Sequence, residues 1–154
     1  MKLGADQEVD GLSCRKGVLV TFDGKERLSA LELANDSDIE GIPCAGGHHV
    51  EFKKGHLSGA ILAREQVLHG LRFARGTPVY FVEGHLRSAI PREDLEIDGL
   101  LAQAGSPLEF YENGRPKHMV LARTSSVRGE LYARGTLLQF DPDGNVNYAQ
   151  MPAR

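Results

Sequence analysis

The sequence predicts an all-β repeat protein, an array of five units of about 29–30 residues that forms an extended, curled antiparallel β-meander. Three observations predict this fold class: a recurring block of glycine and apolar residues, period-2 alternation within it, and glycine-bearing turns between its three alternating segments. Glycine accounts for 18 of the 154 residues, well above average usage. A β-solenoid with one unit per coil fits the same period and is the alternative architecture.

The repeat is defined by glycines and phenylalanines at fixed spacing. Each unit has a first glycine, a second glycine six residues later, and a phenylalanine eleven residues after the first. The three series are Gly11, Gly41, Gly70, Gly99 and Gly129; Gly17, Gly47, Gly76, Gly105 and Gly135; and Phe22, Phe52, Phe81, Phe110 and Phe140. The units start near Val9, Ile39, Leu68, Ile97 and Val127, and residues 1–154 are expected to form a single array. Residues 1–8 match the tail of a preceding unit or serve as a cap.

The first segment of each unit is expected to be an irregular strand. In unit 2, Ile39 and Ile42 are apolar but have opposite parity, and Gly41 stands between them. A glycine at a change of phase predicts a β-bulge. Pro43 supports the irregularity, because proline cannot donate to a strand ladder.

The second and third segments are expected to form a hairpin. In the second segment of unit 2, Val50 and Phe52 point to one face and His49 and Glu51 to the other. The sequences PheTyrGluAsnGlyArg at 110–115 and PheAspProAspGlyAsnVal at 140–146 fit a type I turn closed by a left-handed glycine. An apolar triplet with spacings of three and two then marks the third segment; in unit 1 it is Leu28, Leu31 and Leu33.

Alternation of this kind leaves one apolar sheet face that must be covered. Curling of the sheet, the other end of the array or a second chain can cover it. Because edge strands can also pair between chains, self-association as a homodimer is expected. Cys14 and Cys44 distinguish the two architectures, since a solenoid stacks them within bonding distance and a meander separates them by several strands.

Composition excludes several classes of function. The net charge is −3 with no basic stripe, so nucleic acid is not an expected partner. There is no apolar run of membrane-spanning length and no apolar signal segment at the start. Two cysteines are too few for a disulfide scaffold. The compartment stays open, with a periplasmic or secreted location favoured over the cytoplasm.

Four groups of residues were considered for chemistry, and no catalytic, cofactor-binding or metal-binding residue is predicted from them. The histidines lack the spaced partners of a metal site, and CysAlaGlyGlyHisHis lacks the helix that a phosphate loop requires. Cys44 occupies an inward apolar position, so a buried thiol is expected. The acidic loops around Asp36 and Asp94 are expected to be solvated rather than to bind calcium. A possible binding surface remains, formed by residues that the repeat leaves unexplained or that share a repeat position: His48, His49, Glu51, His56 and His85.

The turn sequences at 110–115 and 140–146 resemble those of bacterial MORN-variant repeats, in which an aromatic residue, a short spacer and Asn-Gly or Gly begin a hairpin. The resemblance extends over all five units. It implies an array of β-hairpins that serves as a scaffold or binds, and it supplies no catalytic residues and no cofactor.

These observations predict a non-enzymatic bacterial repeat protein that mediates protein–protein interaction or surface scaffolding. One alternative is a carbohydrate- or metal-associated enzyme built on a β-solenoid, which requires convergent polar groups in a cleft. Another alternative, by resemblance alone, is a binding partner of the antitoxin or immunity type.

Overall fold

The computed structural model describes residues 28–152 without a break, together with the stretches 7–9, 12–14, 21–22 and 24–25. Within these residues the chain forms twenty β-strands and no helix. The tail or cap predicted for residues 1–8 falls mostly outside the described residues. The same holds for the side chain of Cys14, so the proposed comparison of the two cysteines cannot be made on the structure.

Each unit contains two hairpins, a short one followed by a long one. The five short hairpins are formed by β1 (Gln7–Val9) and β2 (Leu12–Cys14), β5 (Ser37–Ile39) and β6 (Ile42–Cys44), β9 (Gln66–Leu68) and β10 (Leu71–Phe73), β13 (Leu95–Ile97) and β14 (Leu100–Ala102), and β17 (Ser125–Val127) and β18 (Glu130–Tyr132). The five long hairpins are formed by β3 (Thr21–Phe22) and β4 (Leu28–Glu32), β7 (His49–Lys53) and β8 (His56–Ile61), β11 (Pro78–Val82) and β12 (His85–Ala89), β15 (Leu108–Phe110) and β16 (Pro116–Val120), and β19 (Leu137–Phe140) and β20 (Val146–Gln150).

The long hairpins pair side by side into one ten-stranded antiparallel sheet. Its strand order follows the chain from β3 to β20, and the short hairpins branch off between successive long hairpins. Every strand pair is antiparallel. This confirms the predicted all-β meander. The solenoid alternative is wrong, because stacked coils pair their strands in parallel.

The first segment of each unit is a hairpin and not a bulged strand, so a unit has four strands where three were predicted. Ile39 pairs directly with Ile42, and Glu40 and Gly41 form the two-residue turn between them, with φ of 52° and 80°. Positive φ at both central residues defines a type I′ turn, which matches the twist of the strands. Ile39 and Ile42 flank a two-residue turn, so their side chains lie on the same side of the hairpin although their sequence positions have opposite parity.

A β-bulge does occur in every unit, but in the second strand of the long hairpin. In unit 3, Tyr80 pairs with Ser88 and Phe81 pairs with Leu86, which leaves Arg87 as the extra residue. The same register shift leaves one extra residue in each sister unit: Ser29, Ser58, Lys117 and Asn147. The bulge explains the apolar spacing of three in this segment, since one additional residue separates two inward positions.

The core lies between the inner face of the large sheet and the short hairpins. In unit 2 the sheet contributes Val50 and Leu62, and the short hairpin contributes Ile42 and Cys44, all buried in one apolar cluster. Antiparallel bridges fasten short hairpins to the sheet, for example Cys44 to Leu62. The apolar face is thus covered by the short hairpins of the same chain, which was not among the three predicted ways. An uncovered apolar face therefore no longer supports self-association. It stays a prediction that depends only on pairing between exposed edge strands.

Candidate functional site

His48, His49 and Glu51 lie on the outer surface of unit 2, and for His49 and Glu51 the alternation predicted this. All three side chains are exposed, while Val50 between them is fully buried. His49 lies opposite Glu32 on β4. Glu51 belongs to a row of outward residues that crosses the sheet strand by strand: Thr21, Ala30, Glu51, Gly59, Tyr80, Ser88, Glu109, His118, Gln139 and Tyr148.

His56 and His85 occupy the same position in their units, as the first residues of β8 and β12, and both are exposed. Their partners differ. His56 lies 3.0 Å from Glu40 at the tip of its own short hairpin, and His85 lies 3.5 Å from Glu112 in the next long hairpin. The two rings therefore contact different elements, and the structure does not join the five predicted surface residues into one cavity.

Cys44 has a structural role. Its side chain is fully buried, and burial is the main reason that the pKa of its thiol is raised to about 12, with a smaller contribution from the charge of Asp38. A thiol in this state is neutral and inaccessible, which suits a small core residue and not a nucleophile. The prediction of a buried thiol is confirmed at Cys44.

The acidic loops between units also have a structural role. Asp36 accepts a hydrogen bond from the backbone N–H of Gly46 at 2.8 Å, and Asp94 accepts one from Ala104 at 2.9 Å. Thr124 accepts from Arg134 at the same repeat position. Among the described residues, no group of three or more histidine, cysteine, aspartate or glutamate side chains can hold a metal ion.

A groove of about 630 Å³ opens between the short-hairpin tips of units 3 to 5 and the long-hairpin turns of units 4 and 5. We call it the tip groove. Its apolar floor consists of Leu71, Ile97, Leu100, Pro116, Met119, Val127 and Phe140. Its polar rim consists of His69, Glu96, Asp98, Asn113, Gly114, Arg115, Ser126, Arg128, Asp143 and Gly144. The volume falls within the range of ligand-binding clefts.

In units 2 and 3 the residue at the tip of the short hairpin bonds to the long hairpin of its own unit. Glu40 accepts a hydrogen bond from the backbone N–H of Leu57 at 3.0 Å, at the start of the second long strand. In unit 3 the ring nitrogen Nε2 of His69 lies 3.2 Å from the carbonyl oxygen of Leu86, which has the same repeat position as Leu57. Each contact ties the short hairpin to the long hairpin of its own unit.

In units 4 and 5 this contact is missing. The equivalent tip residues are Asp98 and Arg128, and neither has a hydrogen bond or ion pair to the long hairpin in the described part of the chain. Unit 4 has Pro116 where unit 2 has Leu57, and proline has no N–H to donate. A carboxylate at the tip of unit 4 thus lacks the donor that Glu40 uses, and its side chain remains at the rim of the groove.

The turns of units 4 and 5 form the opposite wall. Gly114 donates to the carbonyl oxygen of Tyr111 at 2.9 Å and Gly144 to that of Asp141 at 3.0 Å, and both glycines have φ near 90°. This confirms the type I turns closed by a left-handed glycine. The Tyr111 hydroxyl donates to the carbonyl oxygen of Phe140 at 2.6 Å, so the two long hairpins are fastened together along this wall.

Some charged side chains in and beside the groove have partners within the chain, and others have none. Arg115 donates to the carbonyl oxygen of Pro142 at 3.1 Å. Asp141 has a lowered pKa, mainly because the backbone N–H of Asn145 donates to it, and the positive charge of Arg128 acts in the same direction. By contrast, the carboxylates of Glu96, Asp98 and Asp143 have no ion-pair partner among the described residues.

The sequence-based search missed the tip groove. The five residues predicted as a binding surface belong to units 2 and 3, whereas the groove is lined by residues of units 3 to 5. One signal was present: the residue before the first glycine of each unit changes from Glu40 to His69, Asp98 and Arg128. Pro116, which lacks a backbone N–H donor, was a second signal for the groove. It can be recognised only when positions 98 and 116 are known to line the same groove.

No protein-family profile, no characterised protein and no solved structure matches this chain. In the described part of the chain we found no helix with the length and apolar character needed to cross a membrane.

Proposed function

We propose that this chain is a non-enzymatic β-repeat protein that binds another protein, and that the tip groove is the binding site. One observation carries the proposal: within the described residues, units 4 and 5 lack the bond between short-hairpin tip and long hairpin that units 2 and 3 have, and the tip groove, the larger of the grooves beside the long hairpins, opens there. The opening has an apolar floor and a charged rim, a combination typical of recognition sites.

Binding is favoured over catalysis because the reactive residue types serve the fold. The Cys44 thiol is buried and neutral, and the carboxylates of Asp36 and Asp94 accept hydrogen bonds from backbone N–H groups of their own units. The carboxylates that remain free at the groove have no nucleophile or histidine bonded to them among the described residues, and a general base is normally positioned by such a contact.

The resemblance of the unit 4 and unit 5 turns to MORN-variant repeats supports the same proposal. It suggests a bacterial scaffold in which a rigid sheet presents hairpin ends to a partner. The turns that carry the resemblance, at 110–115 and 140–146, are the turns that form one wall of the groove.

The proposal is tested by capture of partners on the immobilised chain, followed by binding of each captured protein in purified form. The groove variant is Asp98→Arg, which reverses the charge at the rim. The matched control is Glu83→Arg: Glu83 is an exposed carboxylate in another two-residue turn, and its φ of 51° equals that of Asp98 at 50° within a degree.

A purified partner that binds the wild-type chain and the Glu83→Arg control, but not Asp98→Arg, supports the proposal. Equal binding to all three chains contradicts it, because the partner then uses another surface. Circular dichroism and the unfolding midpoint of both variants check that the chain remains folded. The two positions have the same φ, but aspartate tolerates it better than glutamate, so Asp98→Arg should have a slightly larger conformational cost than Glu83→Arg.

A further inference from the structure

Carboxylates outnumber arginines in the lining of the tip groove, three to two. Of its two arginines, Arg115 is bonded to the carbonyl oxygen of Pro142, and Arg128 is close enough to Asp141 to help lower the pKa of that carboxyl. Glu96 and Asp98 are exposed, and no cation of the described residues pairs with them. A ligand that is complementary in charge to Glu96 and Asp98 therefore has a positive charge.

The free carboxylates adjoin apolar surface. Asp98 stands in the turn between Ile97 and Leu100, whose side chains belong to the buried core and to the groove floor. Leu71 and Val127, one unit away on either side, are half-buried and also line the groove. A cationic group bound at Asp98 thus has apolar groups within reach on both sides.

The length of the groove indicates an extended chain. It runs from the tip of unit 3 at His69 to the tip of unit 5 at Arg128, which is two repeats. Two repeats correspond to four strand spacings of the large sheet, or roughly 19 Å. An extended peptide covers that distance with about six residues.

We infer that the tip groove binds an extended peptide segment of the partner, in which a lysine or arginine side chain next to an apolar one pairs with Asp98 and Glu96. This inference rests on the proposed function, because it names the chemistry of the segment that the partner inserts. The carboxylates of the rim favour a basic side chain in the peptide, and the apolar floor favours apolar side chains next to it.

The test is a titration of the full chain, followed by ¹H–¹⁵N NMR, with blocked peptides of the form acetyl-Ala-Leu-Arg-Leu-Ala-amide and with Val or Phe in place of Leu. Each has a matched peptide with citrulline for arginine, which keeps the shape and removes the charge. We expect arginine peptides to bind about tenfold more tightly or better than citrulline peptides, the difference expected of a charge-assisted hydrogen bond. Shifts should be confined to the groove.

Two variants complete the test. Asp98→Asn, which tolerates the positive φ of this turn, should reduce the preference for arginine to about threefold or less, since Glu96 alone remains. Glu83→Gln, outside the groove, should leave the preference unchanged. Equal affinity for both peptide types, shifts outside the groove, or no binding of any arginine peptide at millimolar concentration overturns the inference. If the captured partner nevertheless depends on Asp98, the proposed function stands and only the peptide chemistry is wrong.

Discussion

Units 2 and 3 and units 4 and 5 have the same fold but differ at the point where the short hairpin meets the long one. In unit 2, Glu40 bonds to the N–H of Leu57, and in unit 3, His69 contacts the carbonyl of Leu86. In unit 4 the position of Leu57 is occupied by Pro116, which has no N–H to donate, and both Asp98 and Pro116 line the tip groove. The comparison shows how a repeat array acquires local differences: the glycine and apolar positions of the repeat stay fixed, and a few residues outside them change.

The long-hairpin turns differ in the same way. Units 2 and 3 use two-residue turns, Lys54-Gly55 and Glu83-Gly84, with positive φ at both residues. Units 4 and 5 use four-residue turns closed by Gly114 and Gly144. The longer turns form one wall of the tip groove. The turns and the groove are thus both found in units 4 and 5.

The largest expected difference is between the repeat phenylalanines of units 2 and 4. Phe110 of unit 4 is 1% exposed and its ring lies 5.5 Å from that of His69, whereas Phe52 of unit 2 is only partly buried. We expect Phe110→Ala to lower the free energy of unfolding by about 3–5 kcal/mol and Phe52→Ala by about half as much, because a smaller cavity is left. Urea denaturation measures both. Equal losses would show that the two phenylalanines are packed alike.

A smaller difference is expected at the turn glycines. Gly55 and Gly114 both have positive φ, so alanine is strained at either position by about 1 kcal/mol. A Cβ at Gly114 would also lie 3.1 Å from Nδ1 of His69, while a Cβ at Gly55 meets nothing within 4 Å. Gly114→Ala should therefore cost about 2 kcal/mol in unfolding free energy, against about 1 for Gly55→Ala. A larger cost at Gly55 in thermal or urea unfolding would refute this.

The hydrogen bond at the tip of unit 2 is expected to contribute about 1 kcal/mol. Glycine removes the cost of positive φ at either position, and removes more of it at Glu40 because aspartate tolerates the left-handed region better than glutamate. We still expect Glu40→Gly to be the less stable variant, since Glu40 bonds to the N–H of Leu57 and to His56, and Asp98 bonds to no described residue. If the two variants have the same urea midpoint, the tip contact does not stabilise unit 2.

The smallest expected difference is a pH dependence confined to the turn of unit 5. The pKa of Asp141 is lowered in the folded chain, first by the N–H of Asn145, so its contribution is present above the ordinary pKa of aspartate and lost as pH falls through the lowered value. Below about pH 4 the amide of Gly144 should exchange hydrogen faster, relative to Gly55, than it does at pH 6. Asp141→Asn should remove this pH dependence, and its persistence would contradict the assignment.

The repeat, the fold class and the turns at 110–115 could be predicted from the sequence because glycine and phenylalanine recur with geometry that leaves few alternatives. The fourth strand was missed because Gly41 fits a bulge as well as a type I′ turn, and Glu40 is an unusual residue for such a turn. The bulge at Ser58 has a signal in the sequence, the spacing of three between the apolar residues Leu57 and Ala60.

The tip groove could not be predicted in the same way. It depends on contacts between residues about 17 positions apart, such as Glu40 with Leu57, and on their absence between Asp98 and Pro116. Residue type alone directs attention to His48 and His49, which the structure places on the outer surface away from the groove. Which side chains meet follows from how the short hairpin lies on the sheet, and period-2 alternation contains no information about that.

The most direct test of the account transfers the tip contact of unit 2 into unit 4. The double variant Asp98→Glu/Pro116→Leu keeps the negative charge, restores a backbone donor, and thus reproduces the pairing of Glu40 with Leu57. Its affinity for the purified partner is compared with that of the wild-type chain by calorimetry. We predict a loss of about tenfold or more, because the carboxylate at position 98 is then bonded to the backbone of its own chain and no longer free for the partner. Unchanged affinity, with the new hydrogen bond visible by NMR, would show that the open groove is not where the partner binds.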